Sequence, residues 1–162
     1  MNNAIKYKKI NYLLWLFLLL FNFSFSFSVF SQITSTEWLS LKYDKTYLRS
    51  GPSKQNKVLW TYKKKGLPIK VIRKKGDWYE VEMPERITGW ISSSQISFKR
   101  RVLVISGELI DIRRKEQKTS KVIAKVGKNV VGELIGCQKT VCKIDYYKIE
   151  GFVEKEFLWG VD

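Results

Sequence analysis

The sequence predicts an all-β protein: two small barrels in tandem, preceded by an N-terminal export segment. Two observations carry the fold class. After residue 35 the apolar residues fall in short alternating runs, such as Val58-Leu59-Trp60 and Leu67-Pro68-Ile69-Lys70-Val71-Ile72, separated by charged turns that end in Gly. No stretch there shows the 3.6-residue apolar spacing of an amphipathic helix. The second observation is a repeat. Leu48, Trp78 and Gly89 are answered by Ile112, Val141 and Gly151, at offsets of 64, 63 and 62 residues. A period near sixty residues is the length of one small barrel rather than of a solenoid unit.

The chain has 162 residues, and residues 1–31 are set apart from the rest. Lys6, Lys8 and Lys9 form a basic start, Ile10 to Phe21 is an apolar run, and Val29-Phe30-Ser31 suits cleavage after Ser31. The rival reading is an uncleaved membrane anchor, because Ile10 to Ile33 is long enough to span a bilayer, although Asn22, Ser24, Ser26 and Ser28 dilute its second half. Three of the 30 basic residues and none of the 15 acidic ones lie in this segment, which leaves 27 against 15, a net +12, for residues 32–162. Such a charge attracts polyanions. Export argues against nucleic acid and leaves anionic lipid, anionic wall polymer or an acidic envelope protein as partners. A Lys-rich composition with no binding role is the plainer reading of the same charge.

The first copy is expected over residues 38–98. Trp38, Leu39, Leu41 and Tyr43 read as an alternating edge strand. Tyr47-Leu48-Arg49 then runs into Ser50-Gly51-Pro52, where Gly51 is expected to supply a positive φ and Pro52 to stop the strand. Lys63-Lys64-Lys65-Gly66 and Arg73-Lys74-Lys75-Gly76 read as exposed turns, and Pro68 sits near a strand start, where a missing N–H is tolerated. The strands Trp78-Tyr79-Glu80-Val81-Glu82 and Gly89-Trp90-Ile91 close the copy.

Four of these pieces resemble the bacterial SH3-like (SH3b) family in order and spacing. The family carries a pattern close to N-V-R-S-G-P, then K-G-x-x-V-x-V, G-W-Y-x-V and a closing G-W-I/V. Here these stand as Leu48-Arg49-Ser50-Gly51-Pro52, Lys65-Gly66-Leu67-Pro68-Ile69-Lys70-Val71, Gly76-Asp77-Trp78-Tyr79-Glu80-Val81 and Gly89-Trp90-Ile91. The resemblance implies a small β-barrel used as a binding module.

The second copy, expected over residues 99–162, opens with a basic connector, Lys99-Arg100-Arg101. It departs from the pattern: Arg114-Lys115-Glu116 replaces Ser-Gly-Pro, Val141 replaces Trp78, and Asn129, which tolerates left-handed φ, replaces Gly66. Having lost those aromatics, it reads as structural. Cys137 and Cys142 face each other across the turn Gln138-Lys139-Thr140-Val141, and facing positions on paired strands suit a disulfide. A zinc pair is the rival, but the chain has no His and no second Cys pair to complete four ligands. The tail Phe157-Leu158-Trp159-Gly160-Val161 makes the whole of residues 38–161 similar to a group of exported tandem SH3-like proteins of Gram-negative bacteria whose chains end in L-W-G-V.

The absence of His removes the Cys–His dyad and the Ser–His–Asp triad. No Gly-rich phosphate loop is present, and Glu80 and Glu82 read as one solvated strand face. No catalytic residue, metal or cofactor is expected. The candidate ligand-binding residues are Arg49, Trp60, Tyr62, Arg73, Trp78, Tyr79 and Trp90 of the first copy, where flat rings can hold a peptide and arginines an anion. Each has a packing alternative: Trp78 and Trp90 as core, Arg49 as a loop pin. The expected function is a non-catalytic envelope module that binds peptidoglycan or its stem peptides. The alternative is a periplasmic protein–protein adaptor.

Overall fold

The computed structural model describes residues 37–162, so the expected export segment lies outside the described residues. Fourteen strands form two antiparallel seven-stranded sheets. The first contains β1 (Glu37–Leu41), β2 (Thr46–Arg49), β3 (Val58–Tyr62), β4 (Pro68–Lys75), β5 (Trp78–Glu82), β6 (Thr88–Ser92) and β7 (Ile96–Ser97), with a 3-10 turn at Ser93–Gln95. The second contains β8 (Arg101–Val104), β9 (Ile110–Arg113), β10 (Val122–Val126), β11 (Val131–Cys137), β12 (Val141–Tyr146), β13 (Ile149–Glu154) and β14 (Leu158–Trp159), with the same turn at Lys155–Phe157. The strand orders are β3-β2-β6-β5-β4-β1-β7 and β10-β9-β13-β12-β11-β8-β14, so each strand of the second sheet sits where its counterpart seven places earlier sits in the first. The fold is all-β, with two tandem SH3-like sheets.

The repeat extends to irregularities. A bulge leaves Leu59 unopposed on β3 and Ile123 on β10; another leaves Ile72 on β4 and Ile135 on β11. Gly66 and Asn129 both adopt left-handed φ, 77° and 64°, and their N–H groups bond at 2.8 Å to the carbonyls of Leu41 and Val104. The substitution is conformationally silent, as expected of Asn. Gly89 and Gly151 mark a close backbone approach. A Cβ on Gly89 would stand 2.9 Å from the Arg49 carbonyl oxygen, and one on Gly151 2.7 Å from that of Arg113.

Several local expectations need correction. β1 is not an edge strand: it lies between β4 and β7, and Trp38, Leu39, Ser40 and Leu41 are all buried rather than alternating. One of its faces fills the core of its own sheet; Trp38, on the other, meets the C-terminal tail. Gly51 has no positive φ. Its role is steric, because a Cβ there would come within 2.7 Å of Asn56 Nδ2. Arg73-Lys74-Lys75 continue β4, and only Gly76 (φ 54°) and Asp77 make the turn. Arg101 is not connector but the first residue of β8, opposite Glu133.

The tail ties the two sheets into one body. β14 pairs with β8, yet the Trp159 ring enters the core of the first sheet. It packs edge-on to Trp38 at 4.9 Å between centroids, and its Nε1 donates to the Pro68 carbonyl at 3.1 Å. Trp38 Nε1 donates to Asp162 Oδ1 at 2.9 Å, and Gly160, at φ 109°, passes too close to the Arg101 carbonyl to carry a side chain. Residues 37–162 accordingly belong to a single compact unit. On β11 and β12 Cys137 and Cys142 are register partners and are joined by a disulfide.

Candidate functional site

Strand pleating sorts the first copy's candidate residues onto two faces. On β5, Tyr79 and Val81 point into the core, and Trp78, Glu80 and Glu82 point outward. Register then builds an outer row: Arg49 lies opposite Trp90, Trp90 opposite Glu80, and Glu80 opposite Arg73. Trp78, opposite Ser92, is the diagonal neighbour of Trp90 on the same face. Arg49, Arg73, Trp78 and Trp90 are thereby brought together.

Within this row Trp90 is buried but lies outside the apolar core. It is roofed by Arg73, whose guanidinium carbon sits 5.3 Å from the ring centroid and which also forms an ion pair with Glu80. Trp78 remains half-buried on the same face. Arg49 pins its loop: Nη1 donates to the carbonyls of Lys54 and Asn56, each at 2.8 Å. Arg113 repeats the clamp, donating to the Ser120 carbonyl at 2.9 Å.

The other three candidates do not join the row. Tyr79 is a core residue, 6% exposed, because it shares its face with Val81. Trp60 is 54% exposed on β3, a strand with only one neighbour, and faces the same way as its partner Leu48. Tyr62 packs against the core edge and donates its hydroxyl to Glu85 Oε2 at 3.3 Å. Burial raises its pKa well above the ordinary phenol value, and the charge and acceptor of Glu85 add to the rise.

Two concave regions escaped the sequence reading. One, of about 320 Å³, lies on the second copy's equivalent outer face, over Phe152, Val141 and Arg113. The register that equates Phe152 with Trp90 and Arg113 with Arg49 could have located it. The larger, about 1050 Å³, is a groove between the two copies. The Lys42–Asp44 and Lys63–Gly66 turns line it from the first copy, and Asn129–Val131 and the hairpin tip Asp145–Lys148 from the second. The expected solvated turn at Lys63–Lys65 is thus half of a wall, with Lys64 Nζ donating to the Asn129 carbonyl across the junction.

The carboxylates of the first copy's outer face are occupied: Glu80 by Arg73, and Glu82 by Arg86 at 2.8 Å. Neither is placed as a free acid or base.

A family model described as "Bacterial SH3 domain" matches residues 42–97. These residues are a bacterial SH3 domain. The match ends where β7 ends, and the SH3-like second copy follows it with the same strand order. No curated protein matches the chain. Among solved structures it is similar to NlpC2 from Trichomonas vaginalis, at 14% identity and TM-score 0.35, over 77% of this chain and 48% of that one. It is similar also to NlpC1 from the same organism, at 11% identity and TM-score 0.35, over 79% and 47%. A third is an NlpC/P60 family protein from Bacillus cereus, at 13% identity and TM-score 0.34, over 75% and 55%. The match spans about half the length of those proteins.

Proposed function

We propose that this chain is a non-catalytic binding module of the cell envelope, exported by its N-terminal segment, and that its ligand is peptidoglycan through the stem peptides. The outer row of the SH3 domain carries the reading. Trp78 offers a ring on which a flat amide or sugar face can stack, and Arg73 beside it offers a guanidinium that can take a carboxylate. Trp90, buried beneath Arg73, holds that cation in place from below. Arg49 fixes the neighbouring loop and so the outline of the face.

The net +12 of residues 32–162 supports approach to an anionic wall. Attraction of that kind weakens steeply with salt, whereas stacking on Trp78 does not. Cosedimentation of residues 32–162 with purified sacculi at low and moderate salt separates the two. The expected result is binding that survives salt and falls with Trp78→Ala and with Arg73→Gln. Tyr79→Ala is unsuitable for this purpose, because it removes core. Absence of binding at either salt, or binding indifferent to both substitutions, overturns the proposal.

A further inference from the structure

We propose that the groove between the two copies is a second, separate site, and that it docks an extended acidic segment of a partner protein. Charge is the first reason. Lys42, Lys63, Lys65, Lys99 and Lys148 line the groove, and none has an ion-pair partner among the described residues. The groove's three acidic residues are already engaged. Asp44 accepts from the Lys65 N–H at 3.3 Å, Glu133 pairs with Arg101 at 3.2 Å, and Asp145 accepts from the Lys148 N–H at 2.8 Å. Only Glu133 has a cationic partner, and Asp44 and Asp145 keep their charge. Five unpaired lysines therefore face two unpaired carboxylates, and an incoming carboxylate meets a net positive lining.

Shape is the second reason. The cations line the walls of a concavity rather than a flat surface, which suits a single extended chain better than a bilayer. Tyr43, 48% exposed, and Tyr147, 85% exposed, stand on opposite walls as rings for the segment's side chains to lie against.

The hairpin tip supplies an independent observation. Tyr147 and Lys148 connect β12 to β13 with φ of 50° and 70°, a turn whose two left-handed positions are ordinarily filled by Asn-Gly. The repeat does not demand it. The matching connection of the first copy, Met83 to Ile87, is longer, and there only Arg86 has positive φ. Strained turns persist where they present side chains for use. This one holds an exposed Tyr and an unpaired Lys at the mouth of the groove.

The probe is a fluorescein-labelled, end-blocked peptide of alternating Glu and Ala, about twelve residues long and so roughly 40 Å when extended. Its binding to residues 32–162 is read by anisotropy beside a peptide with Gln for Glu. The expected result is a clear preference for the Glu peptide, weakened about tenfold by Lys65→Glu with Lys148→Glu. Lys74→Glu with Lys75→Glu, on β4 outside the groove, makes the same change in net charge and is expected to shift binding less than about twofold. Replacing the tip (Tyr147→Asn with Lys148→Gly) is expected to preserve or raise the melting temperature while weakening the peptide. Equal weakening by both charge-reversal pairs, or no preference for Glu over Gln, overturns the proposal. So does tighter binding of phosphatidylglycerol vesicles that the groove pair abolishes, since the site is then a lipid site. Sacculus binding is expected to survive the groove pair and to fail with Trp78→Ala, so the two sites are tested separately.

Discussion

Trp159→Ala is the substitution that most directly tests whether the two sheets are one cooperative body. The residue belongs by hydrogen bonding to the second sheet, opposite Leu103 on β8. Its side chain is 7% exposed, and it belongs to the first sheet's core. Truncating a buried Trp costs about 3–5 kcal/mol in lost transfer energy and cavity. The edge-on contact with Trp38 and the bond to the Pro68 carbonyl lie within that total, the former worth about 0.5–1.5 kcal/mol and the latter about 1 kcal/mol. For a unit of this size about 3 kcal/mol corresponds to a fall in melting temperature of roughly 10 °C. Urea unfolding of residues 32–162, followed by tryptophan emission and far-UV circular dichroism, gives the readout. In the variant every remaining tryptophan (Trp38, Trp60, Trp78 and Trp90) belongs to the first copy, so emission reports that copy alone. The wild type is expected to unfold in one transition, coincident by both probes. The variant's emission midpoint is expected to fall although the altered residue sits on the other sheet. Trp159→Phe, which keeps most of the ring and loses the donor, should cost only about 1 kcal/mol. An emission transition that moves by less than about 0.5 kcal/mol in Trp159→Ala refutes the shared core.

Three further predictions rest on single features. Gly89→Ala and Gly151→Ala should each cost about 1–3 kcal/mol or more by denaturant titration, because the new Cβ meets the Arg49 or Arg113 carbonyl, which cannot move aside. Reducing the Cys137–Cys142 bond, which spans a sequence separation of 5, should lower stability by roughly 2 kcal/mol; an unchanged midpoint in reductant would count against it. Tyr62 has a folded pKa above the unfolded value of about 10, so its contribution is fully present below about pH 10 and is lost as pH rises toward the folded value. Absorbance at 295 nm should show one tyrosine resisting ionisation at about pH 11, and Tyr62→Phe should remove that resistant phase and flatten the alkaline loss of stability.

The parts of this structure legible in the sequence are those fixed by local rules. Alternating runs bounded by Gly and charge gave the strands, and the spacing from Leu48 to Ile112 gave the register of the second copy. The burial of Tyr79 was legible too, since period-two alternation groups it with Val81 and leaves Trp78 with the glutamates. Its aromatic ring suggested a ligand where its position indicated core. The rest was decided by distant partners. Burial of Trp38 on the second face of β1 depends on Trp159, which lies 121 residues further along the chain. The groove exists only where one copy meets the other, so no local pattern around Lys63 or Tyr147 announces it. The tip at Tyr147-Lys148 carries none of the Asn or Gly that would mark its turn.

Comparing the copies separates what the fold demands from what each copy is free to vary. The Arg49 and Arg113 loop clamps, the Gly89 and Gly151 approaches, the left-handed Gly66 and Asn129, and the paired bulges all recur, and each answers a backbone requirement. Several exposed or half-buried side chains do not recur: Trp60 corresponds to Ala124, Trp78 to Val141 and Arg73 to Gly136. Nor does the hairpin tip, five residues long in one copy and two in the other. Positions that vary between copies while the backbone stays constant are free of structural duty. Those are the positions of the half-buried ring and the cation on the first copy's outer row; the tyrosine and lysine at the mouth of the groove sit on a tip whose length itself differs between the copies. The shared core around Trp159 holds these two surfaces in fixed relation, so a wall-bound first copy would present the groove to a partner at one orientation rather than many.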